Sequence, residues 1–193
     1  MNFKFENDIT LEDEYLLLKP ISIDDIGNLL SIATADKTLL QFSPKQVYTK
    51  ELLTKYIETA IALRNDQIRY SFSIFYKSYK CYIGSTAFLN ISNADDRIEI
   101  GATWIGKEFQ GTGLNRKCKY LLLQYAFDVL HANRVEFKTD ERNLQSRKAI
   151  EKIGGKSEGI LREHTLMYDG FRRNTCCYSI LRNEWSGIKT ILE

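Results

Sequence analysis

The sequence is poor in the residues that mark special environments. It has only two prolines, Pro20 and Pro44, and only two histidines, His131 and His164. With so little proline, no internal repeat and no low-complexity stretch, linkers and repeat arrays are not expected, and a single domain over residues 1–193 is. The four cysteines, Cys81, Cys118, Cys176 and Cys177, form no Cys-x-x-Cys pair. With so few imidazoles beside them they argue against a structural zinc site, so no metal is expected. Free thiols in a reducing cytoplasm are the simpler reading. No apolar run approaches the length of a membrane span. Met1 to Glu6 mixes Phe with Lys and Glu, so neither a leader nor a membrane partner is expected. The formal charge of +2 is too small for the basic stripe of a nucleic-acid module.

What is present is an apolar fraction of 44%, enough for a core, with charge spread along the chain. Tyr15 to Lys19 reads as a strand. Ile26, Leu29, Leu30 and Ala33 have helical spacing behind Asp24 and Asp25, which suit a cap and first turn. Leu52, Leu53, Tyr56, Ile57, Ala60 and Ile61 mark an amphipathic helix. The period then falls to two. Tyr70 to Tyr76 and Tyr82 to Leu89 are strands, and so is Arg97 to Ile105. In the last, Ile98, Ile100, Ala102 and Trp104 share one face, with Glu99, Gly101, Thr103 and Ile105 on the other. Leu114, Cys118, Leu121, Leu122, Tyr125, Ala126, Val129 and Leu130 form the strongest helical stripe. Arg134 to Thr139 is a strand, Asn143 caps a short helix ending at Gly154-Gly155, and Asp169-Gly170 joins a closing hairpin. The order predicts a mixed α/β sheet with helices on its faces.

The segment Gln110-Gly111-Thr112-Gly113-Leu114-Asn115 sits between strand and helix. Glycines let backbone N–H groups converge, and a helix N-terminus adds unpaired donors and a positive dipole end, which makes an anion site. Arg116, Lys117 and Lys119 oppose that dipole, at a cost of a few tenths of a kcal/mol each that a bound polyanion would reverse. Solvated side chains beside an ordinary loop are the alternative. Two nucleotide patterns fail. Gly101 to Lys107 starts like a P-loop, but Glu108 stands where Ser or Thr must hold magnesium, and Ala102 to Ile105 reads as strand. Gly111-Thr-Gly113 starts a dinucleotide fingerprint but meets Arg116 where the third glycine belongs.

These residues resemble the GNAT (Gcn5-related) N-acetyltransferases, whose pyrophosphate signature is Gln/Arg-x-x-Gly-x-Gly/Ala at a strand–helix junction. Gln110 and Gly113 match its first two fixed positions; Asn115 departs at the third, as in one branch of the family. The strand from Glu99 to Trp104 before it and the segment Asn143 to Gly155 after it fit that family, and Asp169 to Ile180 resembles the closing hairpin of its ribosomal-protein N-acetyltransferase-like branch. The resemblance spans essentially the whole chain. It implies a mixed, mostly antiparallel sheet of about six to seven strands flanked by helices and splayed at the cofactor site. It implies acetyl-CoA as cosubstrate and direct attack by an amine, with a homodimer through the sheet edge or hairpin by analogy.

The resemblance also implies roles. The amides near Trp104 and Ile105 would meet the thioester and Gln110 to Asn115 the pyrophosphate; Asn143 would orient the cofactor and Ser146 protonate the departing sulfur. As an ordinary N-cap, Asn143 is already explained, and Ser146 is common in a first turn. Glu99, Glu136, Asp140, Glu163 and His164 are candidate bases, with Glu99 foremost because it lies on the strand entering the site. Phe42, Tyr48, Tyr70, Tyr168 and Phe171 are candidates for an acceptor wall, and Arg172 and Arg173 for contacts at the turn. Three readings stay open: acetylation of a protein or peptide N-terminal α-amine, acetylation of a small amine, and a non-catalytic acetyl-CoA sensor.

Overall fold

The computed structural model describes residues 1–192. Its centre is one sheet of eight strands: β1 (Leu11–Glu12), β2 (Leu16–Pro20), β3 (Arg69–Tyr76), β4 (Cys81–Ser92), β5 (Arg97–Ile105), β6 (Arg134–Asp140), β7 (Lys156–Leu166) and β8 (Arg172–Leu181). They lie in the order β1-β2-β3-β4-β5-β6-β8-β7. The count exceeds the expected six to seven because a two-residue strand, too short for any alternation to register, pairs with β2. Every neighbouring pair is antiparallel except β5 and β6, which run parallel across a helical crossover.

Among the described residues five α-helices flank the sheet: α1 (Asp25–Thr34), α2 (Lys50–Asn65), α3 (Leu114–Gln124), α4 (Leu144–Lys152) and α5 (Arg182–Leu192). Leu53, Tyr56, Ile57 and Ala60 of α2 join Leu29, Ile32 and Ala33 of α1 in one core. Leu114, Cys118, Leu121 and Leu122 of α3 join Phe72, Phe88, Ile98, Ile100 and Phe137 of the sheet in another. The stripes expected for α2 and α3 therefore face what they should.

Four local expectations change. Asp24 makes no side-chain cap for α1. Instead Asp25, fully buried, accepts from Ser22 N (2.9 Å), Asn28 Nδ2 (3.0 Å) and Ser73 Oγ (2.6 Å), pinning α1 to β3. The long helix changes winding at Tyr125–Val129, where Leu130 N bonds Tyr125 O. That extra residue per turn rotates Val129 out of the stripe, leaving it exposed. The expected order ended on the hairpin, yet α5 follows β8 and packs on α3 and its extension. Tyr70 lies fully buried in the core, with its hydroxyl donating to Asn7 O and accepting from Ile9 N. It is no acceptor wall.

Trp185 anchors α5. Its ring stacks on Phe127 at 5.4 Å and its Nε1 donates to Asp128 Oδ1 at 2.7 Å. Trp185→Ala is expected to cost about 3–5 kcal/mol, read as a lower urea midpoint with an unchanged slope.

Candidate active site

The site begins with an irregularity in β5. Ser85 pairs with Trp104 and Ala87 with Gly101, so Thr86 alone opposes Ala102 and Thr103. Ala102 takes φ +48, the signature of a bulge. An extra residue reverses the alternation beyond it. Trp104 therefore does not share a face with Ile98 and Ile100: it packs with Tyr56 of α2, while Ile105 joins the α3 core. The assignment of faces in this strand is corrected for that reason. Glu99, before the bulge, still points away from α3.

The parallel pairing of β5 with β6 stops at Glu99 and Glu136. Beyond it the strands separate, so the β6-facing backbone of Ile100 to Ile105 has no ladder partner there. Trp104 and Ile105 lie at the end of this stretch.

The glycine turn follows directly. Gln110 Nε2 donates to Ile105 O (2.9 Å), and its Oε1 accepts from Gln145 Nε2 of α4 (3.2 Å). Thr112 Oγ1 donates to Phe109 O at 2.6 Å. Gly113, at φ +89, stands at the N-cap of α3, and no side chain caps the helix. A Cβ on Gly111 or Gly113 would meet nothing within 4 Å, so these glycines answer a backbone requirement and border open space. An uncapped helix start beside open space fits the pyrophosphate of a CoA thioester. Leu114 is buried in the core, and the Asn115 Oδ1 is buried without a hydrogen-bond partner.

The three cations do not act alike. Arg116 is exposed, but Lys117 lies over the Tyr15 ring at 3.7 Å. Lys119 is only 7% exposed, and its Nζ donates to Thr103 Oγ1 at 2.5 Å. Burial pulls its pKa down to about 8. The same burial pushes the Cys118 thiol up to about 11, which suits a packing role.

Across the separation stands the start of α4. Asn143 Oδ1 accepts from Ser146 N at 3.0 Å, the expected cap. The Ser146 side chain is half-buried and has no side-chain hydrogen bond among the described residues. Asp140 is almost wholly buried. Burial works against its charge, yet hydrogen bonds from the Arg142 side chain and backbone hold its carboxyl below the usual range. Glu99 is 7% exposed and accepts from Asn90 Nδ2 and Lys138 Nζ, each at 2.7 Å. Burial opposes the charge on Lys138, but the hydrogen bond to Glu99 and the nearby carboxylates raise its pKa overall. Glu136 pairs with Arg134 at 2.8 Å. Glu163 and His164 lie exposed at an irregular stretch of the edge strand β7, with His164 Nδ1 3.2 Å from Thr175 Oγ1.

Toward the closing hairpin, Arg142 lies over Phe171 at 4.0 Å and Phe42 at 5.7 Å. Arg173 Nη1 donates to Phe42 O at 3.0 Å. Two arginines thus gather two of the expected wall aromatics, while Tyr168 and Arg172 are exposed and Tyr48 half-buried. Sequence reasoning missed Arg142, which carries no motif; its signal is the Asp140-x-Arg142 spacing just before a helix cap.

A family model described as an acetyltransferase (GNAT) domain matches residues 15–156. Over 106 residues the chain is 36% identical to the "Putative ribosomal N-acetyltransferase YdaF" of Bacillus subtilis (strain 168). That match takes in 55% of this chain and spans only 57% of that relative's length. A crystal structure described as a "putative acetyltransferase" from T. thermophilus is 31% identical with TM-score 0.86, covering 95% of this chain and 94% of the other. A GCN5-related N-acetyltransferase from Brucella melitensis, 24% identical, shares the fold at TM-score 0.89 over 97% of this chain and 85% of its own.

The backbone requirement at Gly113 has a direct test. Gly113→Ala is expected to lower stability by about 1 kcal/mol or more, since alanine resists positive φ. Gly187→Ala, in the middle of α5 with open space around it, is expected to raise stability by about 0.4–1 kcal/mol. Urea denaturation of the pair reads both signs.

Proposed function

This chain belongs to the GNAT acetyltransferase family, and from that premise we propose that it moves an acetyl group from acetyl-CoA to a protein or peptide N-terminal α-amine by direct attack. The observation that carries the proposal is the uncapped, open start of α3 set beside the free edge of β5. The amides of Gly111 to Asn115 would take the pyrophosphate, with Gln110 tying that turn to both β5 and α4. The free edge at Ile105, the residue after Trp104, would offer an amide donor to the thioester oxygen, where preorganised dipoles act most strongly. Acetyl-CoA supplies the activated acyl group. Every other task falls to this chain.

When the C–N bond forms and the C–S bond breaks, the amine loses a proton and the sulfur gains one. Asn143 holds the start of α4 in place through Ser146 N, and we assign the proton given to sulfur to the Ser146 hydroxyl. We assign the proton taken from the amine to Glu99, on the sheet face opposite α3. An α-amine, with pKa about 7.7–8.0, gives up that proton readily near neutral pH, unlike a lysine side chain. The acceptor class also draws on the ribosomal N-acetyl transfer in the name of the Bacillus relative. A homodimer through the exposed edge strand β7, where Ile160, Leu161 and Leu166 are uncovered, fits the same reading.

Release of CoA should be followed with peptides bearing free N-termini, the same peptides N-blocked but containing lysine, and polyamines. Turnover is expected with the first set only. Equal turnover of blocked peptides overturns the α-amine assignment, and tight binding without turnover on any acceptor points to a sensor. With an active peptide, kcat/KM should rise with pH and level off above about pH 8 as the α-amine loses its proton. Ser146→Ala should lower kcat by about 10²-fold at saturating acetyl-CoA with little change in KM; full retained turnover removes Ser146 from the mechanism.

A further inference from the structure

Lys119 stands apart from the other cations of this protein. It points into the interior from the second turn of α3, and no carboxylate pairs with it among the described residues. Its head has three N–H donors, and the hydrogen bond described for it goes to Thr103 Oγ1. Thr103 in turn meets Thr86 Oγ1 at 2.7 Å, across the bulge. Lys119 therefore reaches the stretch of β5 that has parted from β6 at Thr103, and the chain continues from there to β4 at Thr86. One helical turn before Lys119, on the same side of α3, the Asn115 Oδ1 is buried and unpartnered.

We propose that Lys119 is a cofactor-linked charge: an acyl-CoA entering the separation between β5 and β6 supplies the counter-charge that the fold withholds, so that binding the cofactor and protonating this buried amine occur together. The inference rests on the reading of Gln110 to Asn115 as the pyrophosphate turn.

A buried ammonium without an anion is unstable as a charge and tends to shed its proton. Its surroundings agree. Burial holds Lys119 at about 8, against a weak opposing influence from Cys118. The charged and titratable groups around this part of α3 are few. Asp13 and Tyr15, from the approach to β2, act on Cys118 and hold Lys117 respectively, and Arg116 faces solvent. From β5 the Thr103 hydroxyl bonds the ammonium, and from β4 the Thr86 hydroxyl stands behind it. A polyanion at the start of α3 would be the strongest negative charge near Lys119, and the low-dielectric interior between them transmits it well. Lys119 must then hold its proton to higher pH in the complex, and by linkage the complex must weaken as the free protein loses that proton.

The probe is acetyl-CoA itself, titrated calorimetrically at pH 8.5 in two buffers of different ionisation enthalpy, which counts protons without any acceptor. The wild-type protein is expected to take up several tenths of a proton on binding. Its affinity should fall about tenfold between pH 7 and pH 9. Lys119→Met is expected to bind with no such uptake and no such pH dependence. Lys119→Arg, charged throughout, should show no uptake while keeping the wild-type affinity of pH 7 up to pH 9. Binding by the wild type without uptake, or the same uptake in Lys119→Met, overturns the inference and leaves the turn assignment standing. Absence of binding by the wild type at pH 7 overturns both.

Discussion

Everything at the site depends on the one parallel strand pair coming apart. β5 and β6 share a ladder for only three residues each, ending at Glu99 and Glu136. On its other edge β5 stays hydrogen-bonded to β4 through Trp104 and Ile105, so it cannot swing after β6. Leaving a buried backbone edge unpaired is costly in a protein interior unless something else bonds it. The arrangement makes sense as a slot for an extended polar ligand. The bulge at Ala102 sharpens the effect by re-aiming Trp104 to the α2 face and Thr103 to the α3 face. A single extra residue thus sets what each wall of the slot presents.

The two helices at the slot are held by short polar ties rather than by bulk. Gln110 links the end of β5, the glycine turn and α4 in one side chain. Asn143 fixes the first turn of α4 through Ser146 N, and its own backbone N–H donates to Asp140 O at the end of β6. On the far face, Asp25 fastens α1 to β3. Arg142 and Arg173 draw the Phe42 segment to the hairpin. These ties place the walls of the slot on elements whose packing is otherwise apolar and tolerant. Charge is then rationed to a few positions, of which Lys119 is the most buried cation and Glu99 a buried carboxylate beside Lys138.

Much of this was legible from residues alone. The helical stripes of α2 and α3 and the turn Gln110 to Asn115 follow from local spacing, which is a property of neighbours in sequence. The Asn143 cap does as well. Features that rest on distant partners were not legible. The reversal at Ala102 depends on Thr86 opposing two residues, and no alternation in β5 alone reveals it. Asp25 is the first-turn acid expected of it, but its bond to Ser73, 48 residues away, left no local trace. Lys119 looked like a companion to Arg116 and Lys117, since position along a helix says little about burial until the sheet beneath it is known. The helix α5 escaped for a similar reason, since it is held by packing onto α3, far from it in sequence.

The central claim is that the start of α3 holds the pyrophosphate of an acyl-CoA. Affinities for acetyl-CoA and for acetyl-pantetheine, which keeps the thioester arm but lacks the pyrophosphate and nucleotide, test it most directly. The account predicts that acetyl-pantetheine binds at least about a hundredfold more weakly, a loss of roughly 2.7 kcal/mol or more. Equal affinity for the two would contradict it.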